Sequence, residues 1–123
     1  MKKISREDTI FIAGASGMVG KAIHRSLIKS GYGNVKNGGA IFTPPRSNLD
    51  LSDKIAVDNW LEINKPNVVI IASAKVGGIL ANNSQPTEFL LENLKIQNNL
   101  IEGSWRNNVK RLLFLGSSCI YPK

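Results

Sequence analysis

Cysteine and histidine are nearly absent from this sequence, with one of each among 123 residues. The single cysteine, Cys119, cannot form an intramolecular disulfide, and together with His24 it provides too few ligands for a structural zinc site. A Ser-His-Asp hydrolase would need His24 as its base, but His24 lies beside Lys21 and Arg25 on the predicted polar face of a helix. We therefore expect neither a metal site nor a hydrolase of this type.

Long apolar segments are also missing. The longer apolar runs, such as Val68–Ala72, fall far short of the ~20 residues that cross a bilayer. The chain begins with polar residues, and no apolar signal region follows them. The sequence thus predicts a cytoplasmic protein without a membrane partner.

Acidic residues are few, with nine Asp and Glu against sixteen Lys and Arg, which gives a net charge of +7. Such a balance suits an anionic partner, either nucleic acid or a phosphate-rich small molecule. The basic residues are scattered along the chain and are not interleaved with aromatic residues as in a single-strand-binding surface. We therefore expect a phosphate-bearing small molecule rather than nucleic acid.

An alternation of strand and helix patterns runs through the chain. Its length and its 42% hydrophobic content suit a single globular domain over residues 1–123. Short β-rich runs occur at 9–13, 40–43, 67–72 and 109–115, and helical periodicity occurs at 17–30, 53–64 and 86–106. This order predicts an α/β fold, a doubly wound parallel sheet of Rossmann type, of which the chain supplies the first four strands.

Two of these elements carry specific packing expectations. In the last strand, Leu112–Leu115 is a continuous apolar run and is expected to be buried. The third helix has a broad apolar stripe and should therefore contact more than one neighbour. The stripe comprises Leu90, Leu94, Ile101 and Trp105, widened by Phe89, Ile96 and Leu100.

The segment Gly14–Gly20 reads Gly-Ala-Ser-Gly-Met-Val-Gly, between the first predicted strand and the first predicted helix. In this context the first glycine permits a tight turn, the second lets the backbone approach a pyrophosphate, and the third lets the helix pack closely on the strand. The helix N-terminus then presents free N–H groups to phosphates. We predict a dinucleotide site with contacts at Gly14, Ser16, Gly17, Met18, Val19 and Gly20.

The end of the second predicted strand indicates which dinucleotide binds. An NAD enzyme would offer an acidic residue there for the ribose 2′-hydroxyl. The segment Ala40–Asn48 has no carboxylate but contains Arg46, whose guanidinium matches a 2′-phosphate in charge and geometry. The sequence favours NADP(H), with further contacts expected at Asp50 and Leu51; the alternative is that Arg46 is only a solvated loop residue.

Two further loops follow the third and fourth strands, at 72–79 and 116–122. Ligands of open α/β sheets bind outside the carboxyl ends of the strands, so both loops should border one cleft. Additional cofactor contacts are expected at Ala72, Ala74 and Lys75.

These loops resemble a known family. The segments ASAKVGGILANN at 72–83 and LLFLGSSCIYP at 112–122, with FIAG at 11–14 and GMVG at 17–20, are similar to the GDP-L-fucose synthases, which are extended short-chain dehydrogenases/reductases. The resemblance covers almost the whole chain. It implies NADPH as cofactor and a homodimeric complete enzyme. It also implies a GDP-sugar substrate, GDP-4-keto-6-deoxy-D-mannose, which is epimerised at C3 and C5 and reduced at C4.

The resemblance also implies two catalytic residues. Ser117 would hydrogen-bond the C4 oxygen, and Cys119 would act as acid/base in the epimerisation, since a carbonyl acidifies the adjacent protons. From the residues alone, Cys119 could equally be a small buried hydrophobic residue, and Ser117 could merely cap a loop.

Four departures from the family pattern limit what the chain can do. The family's catalytic Tyr-x-x-x-Lys pair, its epimerisation histidine and its GDP-sugar domain are all expected beyond residue 123, and Ser16 stands where the family often has an arginine. We therefore expect an N-terminal NADP-binding portion that is inactive by itself. Alternatives are another extended-family sugar-nucleotide epimerase or dehydratase, or a non-catalytic NADP-binding module.

Overall fold

The computed structural model describes residues 3–72 and 86–115, without the side chains of Pro86 and Phe89. Four strands and three α-helices alternate along it. In chain order these are β1 Thr9–Ala13, α1 Met18–Lys29, a short 3₁₀ turn Val35–Asn37, β2 Ala40–Phe42, α2 Lys54–Asn64, β3 Val68–Ile71, α3 Pro86–Arg106 and β4 Arg111–Phe114. The predicted α/β alternation is confirmed, with bounds that differ by at most two residues.

All four strands are parallel, in the order β2-β1-β3-β4. The register places Phe11 of β1 opposite Phe42 of β2 on one side and opposite Val69 of β3 on the other. The chain therefore forms β2 on one side of β1 and then crosses over to form β3 on the other side. The carboxyl end of β1 lies at this change of direction, where open α/β sheets bind their ligands.

The sheet is buried on both faces of β1 and β3. Because successive residues of a strand point to opposite faces, Ile10 and Ile12 pack with α1 while Phe11 and Ala13 pack with α2 and α3. Burial on both sides explains why these strands are continuous apolar runs rather than alternating ones.

The outer strand β4 differs from this arrangement. Leu112, Leu113 and Phe114 are 38%, 46% and 44% exposed, so the expectation that they are buried is wrong. The described helices pack over β1 and β3, and β4 is the last strand of the described sheet. Three consecutive exposed residues mean that both faces of β4 are uncovered by these helices.

Helix α3 has two apolar faces. Ile96 and Leu100 are buried against the sheet and α2. The stripe defined by Leu90, Leu94, Ile101 and Trp105 is exposed, as expected of a helix with surface for a further neighbour. Within residues 3–72 and 86–115, no helix is long and apolar enough to cross a membrane.

Polar contacts tie the amino ends of the strands together. Asp8, buried just before β1, accepts a hydrogen bond from the Ser5 N–H at 2.7 Å, and its Oδ2 lies 2.8 Å from Lys110 Nζ. Burial raises the pKa of the Asp8 carboxyl, but the hydrogen bonds from Lys110 and Ser5 outweigh it and hold that pKa below its ordinary value. Nearby, Asn67 Oδ1 accepts a hydrogen bond from the Thr9 N–H at 2.8 Å.

The Asp8–Lys110 pair should make stability depend on acid pH. The folded-state pKa of Asp8 lies below its ordinary value of 3.8, so the pair stabilises the fold above about pH 4 and is lost as the pH falls through the folded-state pKa. Asp8→Asn should therefore lower the free energy of unfolding at pH 7, and this deficit should shrink at pH 3. Urea unfolding at both pH values measures it.

The exposed pair of Lys54 and Asp58, 2.7 Å apart, is the matched control for this experiment. Asp58→Asn should change the free energy of unfolding by about 0.5 kcal/mol or less, because exposed ion pairs are well solvated. An Asp8→Asn deficit of the same size at pH 7 and pH 3 would show that ionisation of Asp8 is not its cause.

Candidate cofactor site

A pocket of about 470 Å³ opens at the carboxyl edge of the sheet, a size typical of small-ligand sites. Its floor is formed by the ends of β1 and β2, and its sides come from α1, from the segment after β2 and from α3. The lining residues are Phe11, Ala13, Gly14, Ala15, Ser16, Lys21, His24, Thr43, Pro44, Pro45, Arg46, Leu49, Asp50, Leu51, Glu92 and Ile96.

The glycine segment makes the turn that leads from β1 into α1. Gly14 has a φ of +88°, which favours glycine, and its carbonyl accepts a hydrogen bond from the Gly17 N–H at 3.2 Å. Gly17 is the N-cap of α1, and no described side chain caps the helix. The first N–H groups of α1 thus remain available to an anion at the pocket.

The third glycine, Gly20, holds the helix close to the turn. It is buried, and a Cβ added there would lie 2.8 Å from Ala15 Cα and still closer to the Gly14 carbonyl oxygen. A Cβ added at Gly17 would lie 3.6 Å from that oxygen, an ordinary contact. The packing of the chain itself therefore requires glycine at 20 but not at 17.

Arg46 stands at the rim of the pocket beside two carboxylates. Its side chain is 70% exposed, and its guanidinium lies 3.4 Å from Glu92 Oε1 on α3. Hydrogen bonds from Ser52, followed by the charge of Arg46, hold the pKa of the Asp50 carboxyl below its ordinary value. Both carboxylates thus balance part of the charge of Arg46.

The structure brings five of the predicted cofactor residues to one pocket: Gly14, Ser16, Arg46, Asp50 and Leu51. Residues 17–20 lie at the start of α1 beside it, with Met18 fully on the surface. Ala72, at the end of β3, donates its N–H to the Ala13 carbonyl at 2.9 Å. Ala74, Lys75, Ser117 and Cys119 lie outside the described residues, and the roles of all these residues stay predictions.

Several pocket residues carry no sequence motif that points to the site. His24 was expected on a polar helix face; it is half-buried and lines the pocket with Lys21. Their spacing of three residues on one helix could have indicated this, since such residues share a face. Glu92 and Ile96 come from α3, and no local sequence pattern places that helix beside the segment that follows β2. In the described part of the chain, no cluster of His, Cys, Asp or Glu could hold a metal ion.

The Tyr-x-x-x-Lys spacing does occur in this chain, at Tyr32 and Lys36. These residues precede β2 and therefore lie at the amino edge of the sheet, opposite to the pocket. Tyr32 packs in the cluster that contains Ile10 and Ile41. Tyr32 accordingly contributes to the packing under α1, Lys36 is exposed, and neither residue lines the candidate site.

A parallel sheet of this order, with a glycine turn above its ligand pocket, defines a Rossmann-type nucleotide-binding fold. The profile of the NAD dependent epimerase/dehydratase family matches residues 10–123. The chain belongs to that family.

Similar proteins agree with this assignment. The chain is 48% identical over 114 residues to the GDP-L-fucose synthase of Sinorhizobium fredii, covering 93% of this chain and 34% of that protein. It is 41% identical to the GDP-L-colitose synthase of Yersinia pseudotuberculosis, covering 93% and 35%. The NADP-bound GDP-mannoheptose C4 reductase of Campylobacter jejuni superimposes with a TM-score of 0.83 at 38% identity, covering 98% and 36%. The chain thus spans about a third of the length of these relatives.

Proposed function

We propose that this chain is the NADP(H)-binding part of an enzyme similar to GDP-L-fucose synthase. The observation that carries the proposal is the pocket at the carboxyl edge of the sheet, which is lined by the glycine turn, by Lys21 of the uncapped helix α1 and by Arg46. A helix N-terminus suits the pyrophosphate, and a guanidinium at the end of β2 suits a 2′-phosphate. The NADP-bound Campylobacter jejuni relative supports the same cofactor.

The proposed substrate is a GDP-sugar with a keto group at C4. The names of the similar proteins, which include a fucose synthase, a colitose synthase and a C4 reductase, support this substrate class. The fucose pathway intermediate, GDP-4-keto-6-deoxy-D-mannose, is proposed from the loop resemblance at 72–83 and 112–122. Ser117 is proposed to bind the C4 oxygen and Cys119 to exchange protons beside the carbonyl.

The complete enzyme is proposed to be a cytoplasmic homodimer. The exposed apolar stripe of α3, which includes Leu94 and Trp105, supports an interface there, because contiguous exposed apolar surface marks association sites.

A cofactor titration tests the proposed function. Trp60 packs against Phe11 with ring centroids 4.4 Å apart and ring planes tilted by 40°. Because Phe11 lines the pocket, tryptophan fluorescence should report on occupancy. NADPH is expected to bind more tightly than NADH. Equal affinity for the two cofactors, or no binding of either, would contradict the proposal.

This polypeptide alone is expected not to produce GDP-L-fucose. Reduction of the C4 ketone needs a proton donor, and Tyr32, whose spacing to Lys36 would suit that role, lies at the wrong edge of the sheet. A general acid that is not in place costs ~10²–10⁴-fold in rate. Incubation with GDP-4-keto-6-deoxy-mannose and NADPH, followed by absorbance and chromatography, should show no turnover. Product formation that Ser117→Ala abolishes would overturn this expectation.

A further inference from the structure

The cations of the pocket wall are not equivalent. The lining includes two basic residues, Lys21 and Arg46, and two carboxylates, Asp50 and Glu92. Both carboxylates interact with Arg46: Glu92 lies 3.4 Å from its guanidinium, and Asp50 senses its charge. Arg46 therefore offers a ligand a charge that its neighbours already balance in part, because opposite charges within a few ångströms attenuate each other's field.

Lys21 is different, since it forms no ion pair with any residue of the described ranges. It is exposed and lines the same pocket from α1. Its N–H donates to the Gly17 carbonyl at 2.9 Å, which places Lys21 at the end of the first helical turn. Its ammonium charge is thus available to a ligand in the pocket.

The position of Lys21 is unfavourable for the helix alone. The N-terminus of a helix is electropositive, so a cation in the first turn destabilises it, and this turn of α1 contains no acidic residue. A phosphate in the pocket would attract both the ammonium group and the helix N-terminus and so offset the repulsion between them. Local conflicts of this kind are expected where a ligand supplies the missing partner.

We propose that Lys21 is a second cation for the 2′-phosphate of NADP(H) and that it contributes to the preference over NAD(H). This inference rests on the proposed function. A lysine provides three donors and a full charge to a phosphate. NAD(H) has an uncharged hydroxyl at the same position, so the ammonium group stabilises only the phosphorylated cofactor.

The test is to titrate NADPH and NADH against the unaltered chain, Lys21→Gln and the control Lys29→Gln. Lys29 is an exposed lysine in the last turn of the same helix and is not part of the pocket lining. Lys21→Gln should weaken NADPH binding about tenfold, as for a lost hydrogen bond to a charged group, and leave NADH binding unchanged. Lys21→Arg should restore NADPH binding, and Lys29→Gln should have no effect.

Three results would overturn the inference. If Lys21→Gln weakens NADPH and NADH equally, then Lys21 binds the pyrophosphate that both cofactors share. If Lys21→Gln weakens neither cofactor while the unaltered chain prefers NADPH, the inference fails and the proposed function stands. If the unaltered chain binds neither cofactor, both fail. Competition by 2′,5′-ADP, which should weaken with Lys21→Gln, provides a second readout specific to the 2′-phosphate.

Discussion

Gly20→Ala is expected to destabilise the fold by about 3 kcal/mol, because its methyl group would overlap the backbone of the glycine turn. The nearest atoms are the Gly14 carbonyl oxygen and Ala15 Cα, which belong to the main chain and cannot rotate away. Helix α1 would have to move from β1 and open the packing of Ile23 and Leu27 against the sheet. Urea unfolding followed by circular dichroism measures the loss.

Gly17→Ala is the matched control, three residues earlier in the same motif. Its Cβ would meet the Gly14 oxygen at 3.6 Å, and alanine at an N-cap costs less than about 1 kcal/mol relative to glycine. If both variants lose the same stability, close approach of α1 to the turn is not the reason for glycine at 20. If Gly17→Ala keeps its stability and loses NADPH binding, the second glycine serves the ligand.

Arg46→Ala is expected to weaken NADPH binding by about 10- to 100-fold, the loss typical of hydrogen bonds to a charged group. NADH binding should change little, because the 2′-hydroxyl has no charge to compensate. The free energy of unfolding should stay within about 0.5 kcal/mol, since the Arg46 side chain in its ion pair with Glu92 is 70% exposed. Fluorescence titration with both cofactors and a urea transition for each variant provide the measurements.

Arg25→Ala is the control for the change in net charge. Arg25 is an exposed arginine on α1 that does not line the pocket. A similar loss of NADPH affinity in both variants would indicate long-range attraction by the basic chain rather than a contact at the 2′-phosphate. Repeating the titration at higher salt separates the two, because exposed charges beyond about 10 Å are screened at 0.1 M salt.

Local patterns were sufficient to predict the alternation of elements and the glycine turn. The apolar run Thr9–Ala13 forms a strand, and Gly14 directly after it ends that strand. Asp53 caps α2 by accepting hydrogen bonds from the Ile55 and Ala56 N–H groups. Such signals depend on a few neighbouring residues. The fold class and the location of the candidate site could therefore be read from the sequence.

Contacts between residues far apart in the sequence could not be predicted from local patterns. The run Leu112–Leu115 has the composition of a buried strand, but burial depends on which helices lie over β4, and apolarity does not specify that. Likewise, the contact between Arg46 and Glu92 joins residues 46 positions apart. Both outcomes follow from the placement of α3, which no local pattern encodes.

The contact between Asp8 and Lys110 has a consequence for the rate of folding. It joins residues 102 positions apart, and the Thr9–Asn67 hydrogen bond joins residues 58 apart. Strand β1 lies between β2 and β3 in the described sheet, so it cannot pair with both neighbours until β3 has been synthesised. Folds dominated by such distant pairings must close long loops before their contacts form, which slows folding. A nascent chain would thus expose the apolar side chains of β1, among them Ile10, Phe11 and Ile12, until β3 has been synthesised.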